Sequence, residues 1–240
     1  MTILDHVFFF ALAIAYPITS YISFKRLLGR VAAGQVVSPT EIYRSTLISH
    51  WAMFGMALAI WQATGRSRDA LGFGWDIDTG FLLGLALTAA AIVLIMHQYG
   101  GLDSASEKSR ESVRRQSGDL EVMMPRYNSE LGRFYAVSAT AGIVEETLWR
   151  GYMFWYLGHI MPLWAAAIVT SVVFGFGHIY QGIANVPKIT LVGGVFAGLY
   201  LLTGSLWLPM LLHAVFDAVQ GRAVCRLLSS ESACPDSATS

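Results

Sequence analysis

Apolar stretches of spanning length recur along this chain, and their length settles the class of structure before any motif is read. They run roughly over 3–24, 43–63, 79–98, 131–157, 162–182, 187–203 and 206–228. A helix rises 1.5 Å per residue, so about 20 such residues cross the hydrocarbon of a bilayer. In lipid every backbone N–H and C=O must find its partner within the protein, which restricts a single apolar span of this length to helix. The expected fold is therefore all-α, a polytopic transmembrane helical bundle of about seven spans. Composition agrees: 55% of the 240 residues are hydrophobic and 13% charged, where a soluble domain carries about 25% charged residues.

The charge pattern orders these spans. The loop after the first holds Lys25, Arg26, Arg30 and Arg44, and the third holds Lys108, Arg110, Arg114, Arg115 and Arg126. The second has only Arg66 and Arg68, beside Asp69, Asp76 and Asp78. Lys188 falls in the fifth loop, and Arg222 and Arg226 close the last span. Cytoplasmic loops carry the excess of Lys and Arg, so the N-terminus is expected outside and the C-terminus in the cytoplasm. The membrane expected is a bacterial cytoplasmic (inner) membrane. Met1 to His6 contains no Lys or Arg, which argues against a cleavable signal.

Four segments follow from the same pass. Residues 1–100 form the N-terminal transmembrane helices, and 101–128 a polar cytoplasmic loop whose charges alternate in sign. Residues 129–228 form the helices that carry the chemistry described below, and 229–240 a small, polar, disordered tail. The 16 basic residues are matched by 16 acidic ones, so no basic excess points to nucleic acid. Cys225 and Cys234 make neither a disulfide framework nor a metal pair, and Cys234 stands too far from the end for a CAAX box.

Ionisable groups inside a membrane are costly, by about 2.5–3.5 kcal/mol each on insertion scales, and usually mark function. The spans of the first half carry few such groups, among them His50 and His97, and each of these two reads as a packed or interfacial histidine. Three clusters stand in the second half. In Glu145-Glu146-Thr147-Leu148-Trp149-Arg150, Glu146 and Arg150 are four apart and can pair on one helix face. Glu145 points about 100° away and has no local counter-charge. In Phe174-Gly175-Phe176-Gly177-His178, Phe174 and His178 share a face, and the glycines permit close approach of another backbone or a substrate. In His213-Ala214-Val215-Phe216-Asp217, the Asp is placed to orient the imidazole.

Each cluster alone has a bland reading, as a buried ion pair, a helix-end histidine or a polar contact. Together they are hydrolytic equipment. A carboxylate can take a proton from water while imidazoles stabilise the developing oxyanion. The same Glu145, His178 and His213 could instead hold a zinc ion with an open position, and both chemistries stay open at this level. Neither HExxH nor GxSxG occurs. Gly72-Phe73-Gly74-Trp75-Asp76 superficially resembles the GxGD of intramembrane aspartyl proteases, but Trp75 stands where that Asp must be.

EExxxR, FxxxH and HxxxD, in that order on successive apolar segments, resemble the CAAX-processing and bacteriocin-processing (CPBP or Abi) membrane peptidases, which include the type II CAAX prenyl endopeptidases. Thr203-Gly204-Ser205-Leu206-Trp207-Leu208-Pro209 is similar to that family's lead-in to its last motif. The resemblance covers about 130–222. It implies that Glu145, helped by His178, activates water; that His213 helps stabilise the oxyanion with position 217 beside it; and that Glu146, Arg150 and Phe174 support the site. No cofactor is required by that mechanism. The prenyl endopeptidases carry Asn where this chain has Asp217. An ionised Asp offers no donor, so Asp217 is expected to orient His213 instead.

The function expected is an intramembrane endopeptidase acting on a membrane-associated protein or peptide, by CAAX-type or by leader and bacteriocin-type processing. A non-catalytic peptide-binding or immunity membrane protein on the same fold is the alternative. A proton-coupled transporter would place buried carboxylates in both halves, whereas here they fall in the second. Equal-length spans would leave His178 near one face of the membrane and His213 nearer the other, so both reach Glu145 only if their helices are short or tilted.

Overall fold

A computed structural model describes residues 1–100, 111 and 118–232. The rest of the 101–128 loop, and residues 233–240 of the expected tail, lie outside the described residues. Among the described residues there is no strand, and seven long helical runs follow one another. We label them α1 (Ile3–Ala32), α2 (Pro39–Ala63), α3 (Thr79–Gly100), α4 (128–158), α5 (Leu163–Gly177), α6 (Val186–Thr203) and α7 (Trp207–Ser232). Each expected apolar segment lies on one of these runs. Three stretches, Ile3–Ala32, Thr79–Tyr99 and Ile183–Thr203, are long and apolar enough to cross a membrane. The chain is an integral membrane protein. The first residues expected in the tail, 229–232, continue α7.

The helices start and stop where local chemistry tells them to. Ser38 caps α2 by accepting from the Thr40 N–H at 3.3 Å, and Pro39 follows at the first helical position, where its missing N–H costs nothing. Gly204 ends α6 in the left-handed region at φ +63°, its N–H bonded to the Tyr200 carbonyl. Two runs contain a π-turn. The one at Ala11–Ala15 lies just before Pro17, which has no N–H to return to the preceding turn. The other, Thr147–Met153, follows directly on Glu145 and Glu146. Such turns recur at functional sites.

Packing is tightest between α4 and α7. A Cβ on Gly142 would stand 2.6 Å from the Met210 carbonyl oxygen, and one on Gly221 would enter the Phe134 ring. Small residues that bring backbones together are the usual adhesive of helices in lipid. One core gathers Phe8, Leu12, Trp61, Leu148, Trp149 and Tyr152 from α1, α2 and α4. A second gathers Phe81, Phe196, Leu199, Leu208 and Leu212 from α3, α6 and α7. On the outside, α3 exposes Leu82, Leu83, Leu85, Leu87, Val93 and Leu94, a surface suited to lipid contact.

The segment expected to span 162–182 is helical only to Gly177. Short 3₁₀ turns at Ile179–Gln181 and Ile183–Asn185 follow, and the chain reverses at Gly182, φ +99°. The 15 residues of α5 are about 22 Å long, so His178 sits at the depth of the bundle interior. At the other end, Ser205 and Leu206 are fully buried, so α7 also begins inside the protein. A short α5 and a sunken start to α7 bring His178 and His213 to the level of Glu145.

Candidate active site

Glu145 and Glu146 are the last residues before the π-turn of α4, and both are buried. As adjacent residues on one helix they face different neighbours. Glu146 turns towards α6 and α7. Its Oε1 accepts from Arg150 Nη1 at 2.9 Å and from His213 Nδ1 at 2.8 Å. Arg150, fully buried, also donates from Nη2 to the Gly193 carbonyl at 2.8 Å. Its guanidinium lies 4.5 Å from the centre of the Phe174 ring. A Cβ at Gly193 would crowd both Arg150 and Phe174, so glycine there makes room for the buried cation. Arg150 thereby has a counter-ion, a carbonyl and an aromatic face, while its Nε and Glu146 Oε2 have no hydrogen-bond partner.

Glu145 turns the other way. Its Oε1 is 3.1 Å from His50 Nε2 on α2. Its Oε2 has no hydrogen-bond partner and lies 3.8 Å from His178 Nε2. His178 caps α5, and its Nδ1 donates to the Phe174 carbonyl at 2.9 Å. A neutral His178 therefore presents an accepting Nε2 to Glu145. A single water about 2.8 Å from both Oε2 and Nε2 would bridge this gap, donating one hydrogen to each. Its lone pairs would then remain free.

His213 is 5% exposed and lies flat against Phe196, ring centres 5.0 Å apart at 17°. Glu146 and Asp217 face different nitrogens of its ring. The partner within hydrogen-bond distance is Glu146, at Nδ1, whereas Asp217 Oδ2 lies 3.6 Å from Nε2. Asp217 is also 35% exposed. The packing of α4 on α7 brings Glu146 to Nδ1, while Asp217, one turn along α7, stays on the Nε2 side.

All the residues singled out in the sequence, Glu145, Glu146, Arg150, Phe174, His178, His213 and Asp217, thus gather in one place. Among the described residues no group of three His, Cys, Asp or Glu side chains is placed to hold a metal ion. His50, read from sequence as a packed or interfacial histidine, instead touches Glu145. Its place inside the apolar 43–63 segment was the available signal. Tyr180 was not singled out either. It stacks on His178, ring centres 5.9 Å apart, and lines a cavity of about 730 Å³ together with Pro17, Tyr21, Lys25, Phe176 and Asn185. That cavity opens between α1 and the 3₁₀ turns, and Tyr180 belongs both to its lining and to the stack on His178.

Residues 127–219 match the family described as Rce1-like, type II CAAX prenyl endopeptidase. No curated protein and no solved structure matches the chain. The matched segment holds every residue of the cluster except His50, and over that segment the chain is similar to the Rce1-like family of CAAX-type membrane proteases.

Proposed function

We propose that the protein is an intramembrane endopeptidase in which Glu145 is the general base. The observation that carries this reading is the unpartnered, buried Oε2 of Glu145, 3.8 Å from His178 Nε2. In the proposed reaction Glu145 Oε2 takes a proton from water while the water oxygen adds to the peptide carbonyl carbon. The carbonyl oxygen becomes an oxyanion and receives the Nε2–H of His213, which Asp217, beyond hydrogen-bond length, leaves open. Glu145 then delivers its proton to the departing amine nitrogen as the C–N bond breaks. Glu146 and Arg150 hold His213 in place, and Phe174 packs beneath Arg150. No metal takes part.

The substrate is a membrane-associated protein or peptide, either a CAAX-type tail or a leader or bacteriocin precursor. It enters through the cavity lined by Tyr21, Lys25 and Tyr180. The protein crosses a bacterial cytoplasmic membrane seven times, with its C-terminus in the cytoplasm. Residues 129–228 form the peptidase helices, and the first 100 residues supply one wall of the site.

The test is cleavage of a farnesylated CAAX peptide and of a peptide library by the purified protein in lipid. Glu145→Gln should lower the rate by roughly 10²–10⁴-fold, and a chelator should leave the wild type unaffected. A folded Gln variant with full activity would remove Glu145 from the base role.

A further inference from the structure

We propose that His50 is a positioning residue of this site: its protonated imidazole holds Glu145 by Oε1 and so leaves Oε2 to the reacting water. The proposal rests on the reading of Glu145 as base, and it adds a group from outside the segment that matches the family. His50 belongs to α2 and is 6% exposed.

Hydrogen-bond chemistry supplies the first step. His50 Nδ1 lies 2.9 Å from the Thr46 carbonyl. A carbonyl can only accept, so Nδ1 carries a hydrogen. On the other side, Nε2 faces Glu145 Oε1 at 3.1 Å. A bare ring nitrogen and an ionised carboxylate are both acceptors and would repel at that distance. One further proton therefore lies between them. If it belonged to Glu145, that residue would be a neutral acid and could not take a proton from water. If it belongs to His50, the pair is an imidazolium donating to a carboxylate.

Charge balance selects the second arrangement. Glu146 is matched by Arg150 at 2.9 Å. Glu145 has no such cation, and of its other ionisable neighbours, His178 and His213, neither is hydrogen-bonded to it, His178 standing 3.8 Å away. A carboxylate removed from water needs a counter-charge, and His50 is the group at hydrogen-bond distance that can provide one. The titratable groups facing His50 are Glu145 on α4 and His213 on α7. The former favours the imidazolium and the latter opposes it when itself charged.

The two oxygens of Glu145 thereby have separate tasks. Oε1 is tied to α2, and Oε2 is aimed at the gap before His178. Losing the tie lets the carboxylate rotate, and small misplacements of a reacting group are expensive in rate. In the resting enzyme His50 touches the base and not the substrate, so its loss should appear in kcat rather than KM.

The experiment uses the full chain in lipid, comparing wild type with His50→Gln and His50→Phe. Peptide cleavage is followed from pH 5 to 9. His50→Gln should keep KM and its unfolding temperature while kcat falls roughly 100-fold. The acid limb of its pH profile should move to higher pH, because a carboxylate without an adjacent cation protonates more readily. His50→Phe, which fills the volume without a donor, should lose more. If the Phe variant does not insert, the Gln variant alone carries the comparison. Wild-type kcat and an unmoved profile in the Gln variant would overturn the proposal.

A second readout needs no activity. Nitrogen-15 spectra of histidine-labelled wild type should show both His50 nitrogens protonated, the signal being identified by its loss in His50→Gln. Glu145→Gln should remove one of those protons. A neutral His50 in the wild type would overturn the proposal. A wild type that cleaves nothing would count against the peptidase reading, and the spectrum would still decide the state of His50.

Discussion

Glu146 Oε1 accepts from both Arg150 and His213, so a single oxygen joins the guanidinium of the site to an imidazole on another helix. Glu146→Gln would leave Arg150 buried beside a neutral amide, at a cost of about 3–5 kcal/mol. Asp217→Asn, at a position 35% exposed and beyond hydrogen-bond length from His213, should change stability by less than about 1 kcal/mol. Thermal unfolding in detergent checks both, and the reverse ranking would make Asp217 the anchor of His213. The contrast also marks how far the sequence could be read. Glu146 and Arg150 are four apart, and helix geometry alone pairs them. The contacts of His213 with Glu146 and of His50 with Glu145 span 67 and 95 positions. Only the packing of α4 on α7 and on α2 creates them. His50 has no ionisable residue three or four positions away, so spacing gave no reason to set it above a packed histidine.

At the scale of elements, the order and placement of the helical runs followed from apolar length, because lipid leaves an isolated apolar span few alternatives to helix. What apolar length could not show was where a helix stops inside the apolar run. Ile179, Ile183 and their neighbours keep that run hydrophobic, yet α5 ends at Gly177 and the chain turns at Gly182. The π-turns were equally hidden, since a π-turn has no residue signature of its own. The hairpin of α5 and α6 depends on Gly175. A Cβ there would collide with Thr190 Oγ1 and stand 3.0 Å from the Val186 carbonyl oxygen. Gly175→Ala should push α6 away and cost about 1–3 kcal/mol. It should also slow cleavage, because His178 hangs from the same helix end. Thr190→Ala removes the colliding oxygen, so the double variant should regain part of the lost stability. Unfolding temperatures of the two single variants and the double variant measure this. Simple additivity would mean that the two positions do not meet.

For the whole molecule the outstanding property is its orientation, and the structure sharpens the charge argument for it. Of the two arginines in the α2–α3 loop, Arg66 is already spent. It meets Asp5, a buried carboxylate in the first half where the sequence reading places none, through two hydrogen bonds of 2.8 and 2.6 Å, and lies 3.9 Å from the centre of the Trp155 ring. Tyr152 donates to the same Asp5 at 2.9 Å. That clamp ties the start of α1 to the far ends of α2 and α4, so these termini share one face of the bundle. Arg68 is then the basic residue left in that loop, beside Asp69, Asp76 and Asp78. The opposite face carries Lys25, Arg26, Arg30 and Lys188 near the end of α1 and the start of α6, and the cavity opens beside Lys25. The positive-inside rule counts Lys and Arg in short loops, and in the proposed orientation the cavity would lie on the cytoplasmic side, where a cytoplasmic tail could enter. Cysteines introduced singly at Gln35, Arg68 and Ala184, with Cys225 and Cys234 replaced by Ser, test this in intact cells with a membrane-impermeant thiol reagent. Arg68→Cys should label from outside, whereas Gln35→Cys and Ala184→Cys should label only after the membrane is opened. Labelling of Gln35→Cys and Ala184→Cys from outside, with Arg68→Cys protected, would turn the molecule over and give the cavity an external substrate. Gln35→Cys and Ala184→Cys appearing on opposite sides would break the count of seven crossings, because that count requires an even number of spans between them.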